Sequence, residues 1–196
     1  MMKVIILVSR LIRMIQELAY QSYIDKTLGK GIAHRVGERL FLIGNEHIEW
    51  GMNITIADCC TITAWDEFAG EHHTPSIKFG KNCNIGCYNN ITAINKIEIG
   101  DNLLTGRWVT ITDHAHGNGL PEEASIAPID RKLFSKGPII IGSNVWIGDK
   151  ATILPNVTIG DNVTIGANSV VTRSLPNNCI AAGNPAKVIK IKDDIQ

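Results

Sequence analysis

The chain has 196 residues, a length suited to one domain, and 44% of them are hydrophobic, enough for a sizeable core. Its 19 basic and 19 acidic residues cancel, so nothing global marks a binder of nucleic acid or of an anionic membrane. Five cysteines, at 59, 60, 83, 87 and 179, show no paired metal-ligand spacing, which fits a reducing, cytoplasmic compartment.

Residues 3–20 place Val4, Leu7, Val8, Leu11, Ile12, Ile15, Leu18 and Ala19 at helical spacing, with Ser9, Arg10, Arg13, Gln16 and Glu17 on the other face. The expected role of this short helix is to cover the open end of whatever follows. A surface anchor beside a membrane is the weaker reading, since only two arginines mark the polar face. The opening run Val4 to Val8 is too short for a signal peptide or a membrane span. Residues 21–49, with Gly29, Gly31, Gly37 and Gly44, read as irregular lead-in strands, so that 1–49 forms a cap and 50–190 the main domain.

From residue 50 a period of six takes over, and it is clearest between Ile141 and Pro176. Branched aliphatics stand at 141, 147, 153, 159, 165 and 171, and four places after each comes a second, mostly small side chain such as Val145, Ala151, Val157, Val163 and Ser169. Helices repeat at 3.6 residues and plain strands at 2, so six marks a repeat architecture. The residue after each aliphatic is Gly142, Gly148, Leu154, Gly160, Gly166 and Thr172, a pattern that repeats every eighteen. Three short strands per turn of a triangular coil account for both periods: a parallel β-helix. Cys60 and Cys83 fall in the small-residue slot and are expected to pack inside.

The interruptions are ordered too. Residues 68–78, the pair 97 and 98, and the long stretch 117–140 each follow the third hexapeptide of a coil, so all leave the prism at one corner. Insertions confined to one edge of a solenoid build something at that edge. The third coil ends there in Ile111-Thr112-Asp113-His114-Ala115-His116. With Ile111 and Ala115 inward, His114 and His116 should both face outward on one side. Histidine titrates near pH 6.5 unperturbed and suits a general base. Asp113, Glu122 or Glu123 are the carboxylates placed to orient it. No nucleophile motif such as G-x-S-x-G is present.

The repeats, the run Asn144-Val145-Trp146-Ile147-Gly148 and the ending Ala182-Gly183-Asn184-Pro185-Ala186-Lys187-Val188-Ile189 resemble the hexapeptide-repeat acyltransferases, in particular the galactoside and maltose O-acetyltransferases. That resemblance implies an all-β fold, a left-handed parallel β-helix with the N-terminal helix and extended loop added. It also implies acetyl-CoA as co-substrate, a saccharide hydroxyl as acceptor, and no metal; the balanced charge adds the expectation of no nucleic-acid partner. Outward Trp108 and Trp146, together with the resembling family's assembly, imply a homotrimer of C3 symmetry with sites at the interfaces. The family's catalytic histidine corresponds by ungapped register to His116, while its Thr-x-His approach would choose His114; the register argument favours His116. For the donor, the resemblance implies Trp146, then Asp149 and Ala167 along the pantetheine, with Thr172, Arg173, Lys187 and Lys190 near the nucleotide. An acceptor-contacting asparagine of the family corresponds to Gly86 here, a departure that leaves the acceptor open. The alternatives are a metal enzyme like the γ-class carbonic anhydrases, drawing on His72, His73, His114 and His116, an enzyme that acetylates an amine or antibiotic, and a catalytically empty scaffold.

Overall fold

The computed structural model describes residues 2–29 and 32–192. After one helix, Met2–Leu28, the chain winds as a parallel β-helix whose strands stack into three sheets, one per face of a triangular prism. Face one stacks Ala33–Val36, Ile54–Ile56, Asn84–Ile85, Leu104–Thr105, Trp146–Ile147, Thr164–Ile165 and Cys179–Gly183. Face two stacks Phe41–Ile43, Thr61–Ala64, Asn90–Ala93, Thr110–Thr112, Thr152–Ile153 and Val170–Val171, and face three runs from Ile48–Glu49 to Val157–Ile159. Every pairing within these stacks is parallel, and like slots meet: Ile62 pairs with Ile91 and Ile91 with Ile111.

The period of six is a packing device. Each hexapeptide sends its aliphatic inward, and Ile56, Ile62, Phe79, Ile85, Ile91, Ile99, Ile111, Ile147, Ile153 and Ile165 are all buried in one continuous core. Burying such a side chain contributes roughly 1.5–3 kcal/mol each, which the short strands by themselves do not. The second slot is inward as well, and Cys60, Cys83 and Cys179 fill it. Two polar residues in inward slots find partners there: the Thr105 hydroxyl accepts the Gly86 amide at 2.9 Å, and Ser169 accepts that of Gly183 at 3.1 Å.

Each corner needs a sharp turn, and the three are built differently. Between faces three and one, Asn53, Asn82, Asn102, Asn144, Asn162 and Asn178 all adopt positive φ of 56–60°. Asparagine tolerates this conformation. The amides also form a ladder up the corner, Asn82 to Asn102 at 3.0 Å and Asn102 to Asn144 at 2.9 Å. Between faces one and two the equivalent positions are Cys59, Tyr88, Trp108, Lys150 and Asn168, with φ of 58–62°. Bulky aromatics are rare in that region, yet Tyr88 and Trp108 stack there and face outward. The remaining corner, between faces two and three, carries every insertion.

The coils start earlier than the sequence reading places them. Val36 and Leu42 already hold the spacing of six, but eight residues separate Leu42 from Trp50, and a 3-10 turn at Asn45–His47 takes up the difference. That offset hides the first coil inside the lead-in. The helix is longer than 3–20 and covers the coil end only with its last turns, through Ile24 and Leu28. Tyr20 fastens it by donating its hydroxyl to the carbonyls of Val36 and, at 2.8 Å, Gly37. At the other end the chain reverses. Ala186–Ile191 runs antiparallel along Cys179–Gly183 and closes the edge of face one.

Candidate active site

The site grows from the corner between faces two and three. After Thr112 the coil does not complete its hexapeptide, which corrects the expected inward slot at Ala115: Ala115 is exposed and Asp113 is fully buried instead. The reason lies in the coil before. There the chain turns out of face two at Ile94 and Asn95, leaving two backbone N–H groups without a strand partner. Asp113 answers both, Oδ1 accepting the Ile94 amide at 3.0 Å and Oδ2 the Asn95 amide at 2.9 Å. A buried carboxylate is costly without such donors.

The same Oδ1 lies 3.0 Å from Nδ1 of His114, whose side chain is only 11% exposed. With the carboxylate accepting, Nδ1 carries the proton and Nε2 is left with its lone pair free. The ring borders a cavity of about 380 Å³ lined also by Gly117, Phe134, Lys136, Leu154, Pro155 and Thr172. His114, Pro155 and Thr172 come from successive coils at one corner. That is the arrangement a general base requires: fixed tautomer, fixed ring, open acceptor nitrogen.

His116 is placed otherwise. It pairs with Leu133 in a small antiparallel hairpin of Ala115–His116 and Leu133–Phe134, and it is exposed. Its ring meets the edge of Phe68 at a centroid distance of 5.4 Å, and among the described residues no carboxylate holds it. Phe68 belongs to the other large insertion, the hairpin of Glu67–Phe68 and Glu71–His72. The two insertions are tied a second time where Lys132 Nζ lies 2.6 Å from Glu71 Oε1, and this ammonium holds the Glu71 carboxyl below its usual range. His116 thus sits in the seam between insertions, while His114 faces the cavity. Of the other carboxylates considered, Glu123 is occupied with the loop itself, accepting the amides of Asn118 at 2.8 Å and Gly119 at 3.1 Å. Glu122 is exposed.

The donor residues separate into two groups. Thr172 and Arg173 stand at the His114 corner. Trp146 lies on face one, exposed, with Asp149 and Ala167 at the Tyr88–Trp108 corner, where Asp149 Oδ1 accepts the Arg107 amide at 2.9 Å. Lys187 and Lys190 lie on the reversed edge strand, Lys190 opposite Ile180. Within one chain the width of face two therefore divides His114 from Trp146. Lys136, Phe134 and Pro155 line the cavity without having been singled out in the sequence, because loop residues carry no period. The departure at Gly86 has a steric cause: a Cβ there would come within 2.2 Å of the Gly106 carbonyl oxygen.

His72 and His73 line a different hollow, with Ile94, Asn95 and Ser135. Among the described residues, the group of His and carboxylate atoms close enough to share an ion is Glu46, His47 and Asp66. It contains none of His72, His73, His114 and His116, from which a carbonic-anhydrase-like reading would draw its three ligands.

Residues 138–173 match the family model described as bacterial transferase hexapeptide (six repeats). Those coils are hexapeptide repeats. A protein of Escherichia coli strain K12 named for lipopolysaccharide biosynthesis O-acetyl transfer, WbbJ, is 39% identical over 117 residues, covering 58% of this chain and 60% of that one. The galactoside O-acetyltransferase of the same strain is 39% identical over 127 residues, covering 59% and 57%. The chain thus spans about three-fifths of the length of these curated relatives. Among solved structures, the N-acyltransferase AntD from Bacillus cereus superposes with a TM-score of 0.65 at 23% identity, covering 81% of this chain and 84% of that one. The hexapeptide fold is the left-handed parallel β-helix, and none of its helices among the described residues is long and apolar enough to cross a membrane.

Proposed function

We propose that this chain is an acetyl-CoA-dependent O-acetyltransferase acting on a hydroxyl of a sugar or surface-polysaccharide precursor. The observation that carries the reading is the Asp113–His114 pair at the mouth of a cavity built from successive coils. The similarity to two O-acetyltransferases supports the acceptor class. The base is His114, against the register preference for His116, because a base is defined by the partner of its other nitrogen. Asp113 positions the ring, and His116 joins the two insertions that wall the acceptor side.

In the reaction, His114 Nε2 takes the proton of the acceptor hydroxyl as its oxygen attacks the thioester carbonyl. The tetrahedral intermediate collapses with cleavage of the carbon–sulfur bond, and the imidazolium returns its proton to the departing thiolate. One ring nitrogen serves both transfers, so no acyl-enzyme is needed. Asp113 stabilises the imidazolium between them.

Trp146, Asp149, Ala167, Lys187 and Lys190 would hold the pantetheine and nucleotide, and Thr172 and Arg173 the part nearest the cavity. Since face two separates these groups in one chain, a complete site takes His114 from one copy and Trp146 from the next, in a homotrimer. The placement is cytoplasmic, where acyl-CoA and reduced thiols coexist.

The test is acetyl-CoA thiol release over a panel of saccharides and matched amino sugars. Acceptor-dependent release with hydroxyl sugars, lost in His114→Ala, is the expected result. Release that needs an amino group, or that survives His114→Ala, would overturn it.

A further inference from the structure

The helix Met2–Leu28 turns its apolar stripe away from the protein it belongs to. At 100° per residue, Leu7, Val8, Leu11, Ile12, Ile15 and Leu18 share one broad face. Tyr20, Ile24 and Leu28, which dock on the first coil, lie roughly 180° around the axis. The six stripe residues are correspondingly 49–69% exposed. A helix that simply closed the coil end would show the opposite phase.

We infer that this helix docks the protein on an anionic lipid surface, lying in the plane of the interface with the stripe downward. Charge complementarity selects this occupant. The charged residues among the first sixteen are Lys3, Arg10 and Arg13, all cationic, in a chain whose net charge is zero. Arg10 lies roughly 60° beyond Leu7 and so flanks the stripe at the height of lipid phosphates, as interfacial helices require, whereas Arg13 lies opposite the stripe and lines a hollow with Tyr20, Glu38 and Asp58. A second copy fits less well. A parallel bundle of these helices would set arginine beside arginine, with no acidic residue to pair before Glu17. The stripe is also much wider than a two-helix seam. The helix is not apolar enough to cross a membrane, so it lies on one. This inference stands independently of the acetyltransferase reading.

The test uses the full chain in co-sedimentation with vesicles of phosphatidylcholine alone and with one third phosphatidylglycerol. Binding to the anionic vesicles is expected, weakened by salt. Leu11→Glu with Ile15→Glu, both solvent-facing and so neutral to the fold, should lower that affinity on the order of a hundredfold. Arg10→Glu should lower it about tenfold on anionic vesicles only. Failure of the unaltered chain to bind anionic vesicles, or unchanged binding by the double variant, overturns the inference. So does an unbound chain whose mass by light scattering falls in the double variant, which would give the stripe to a second copy.

Discussion

Tyr88 lies flat on Trp108 one coil away, ring centroids 4.2 Å apart and planes 5° from parallel, although both backbones are in the left-handed region. The stack offsets part of the conformational cost of two bulky residues at positive φ, yet Trp108 remains 53% exposed. An asparagine would turn this corner more easily, as it does at the adjacent one. Retaining aromatics there is explained if a neighbouring copy covers them.

If the proposed homotrimer uses this corner, replacing both, Tyr88→Asn with Trp108→Asn, should keep the coils folded while lowering the mass from trimer to monomer in light scattering. A variant that stays trimeric would remove this corner from the interface.

For the site, Asp113→Asn should be costly in two separable ways. An amide supplies one acceptor oxygen where the carboxylate supplies two, so one of the Ile94 and Asn95 amides loses its partner, destabilising by about 1–3 kcal/mol. It also stops fixing the His114 tautomer, lowering kcat with little change in the KM for acetyl-CoA. His114→Ala should lower kcat by about 10²–10⁴. His116→Ala should act mainly on the acceptor KM, through the seam with Phe68. Urea titration beside steady-state kinetics checks the division, and a normal kcat in Asp113→Asn would contradict it.

The thiols give a pH prediction. Burial pushes Cys60, Cys83 and Cys179 above the ordinary thiol value of 9.0. A raised folded-state value means the native state holds the proton more tightly. The associated stability is complete below pH 9.0 and is lost as pH climbs through the raised values. Native protein should present Cys59 and Cys87 to a thiol reagent near neutral pH and all five after unfolding. Denaturant midpoints should decline above pH 9.0, and faster than in a Cys60→Ala, Cys83→Ala comparison chain.

Two glycines make a further contrast. Gly86→Ala drives a Cβ to within 2.2 Å of the backbone oxygen of Gly106, so neighbouring coils must separate; soluble yield should collapse. Gly70→Ala meets open space, and only its φ of 77° opposes it, costing roughly 1–2 kcal/mol. Thermal melts of the two variants rank these costs.

The coils were legible because each depends on a local rule repeated many times: an aliphatic every sixth residue, a small partner four later. Ile141 through Val171 state it without interruption. The two residues absorbed at Asn45–His47 hide the first coil, and an ungapped count favours His116 only by assuming that the hexapeptide continues past Thr112. It does not, since the unpaired amides of Ile94 and Asn95 draw Asp113 inward. That attraction acts between coils and leaves no mark on spacing. The helix was found for the same reason as the coils, but its periodicity says which residues share a face and nothing about which way that face points.

The reversed strand Ala186–Ile191 has one more consequence. A coil that adds identical layers has no intrinsic length, and its last layer would offer a template to the first layer of another molecule. By folding back antiparallel on Cys179–Gly183 and fixing Lys192 to the Asn162 carbonyl at 2.8 Å, the chain puts a mismatched, lysine-bearing margin where the next parallel strand would add. The segment works as a stop codon does, ending an otherwise indefinite polymer at a set count. Stripping it should convert a discrete particle into one able to grow end to end.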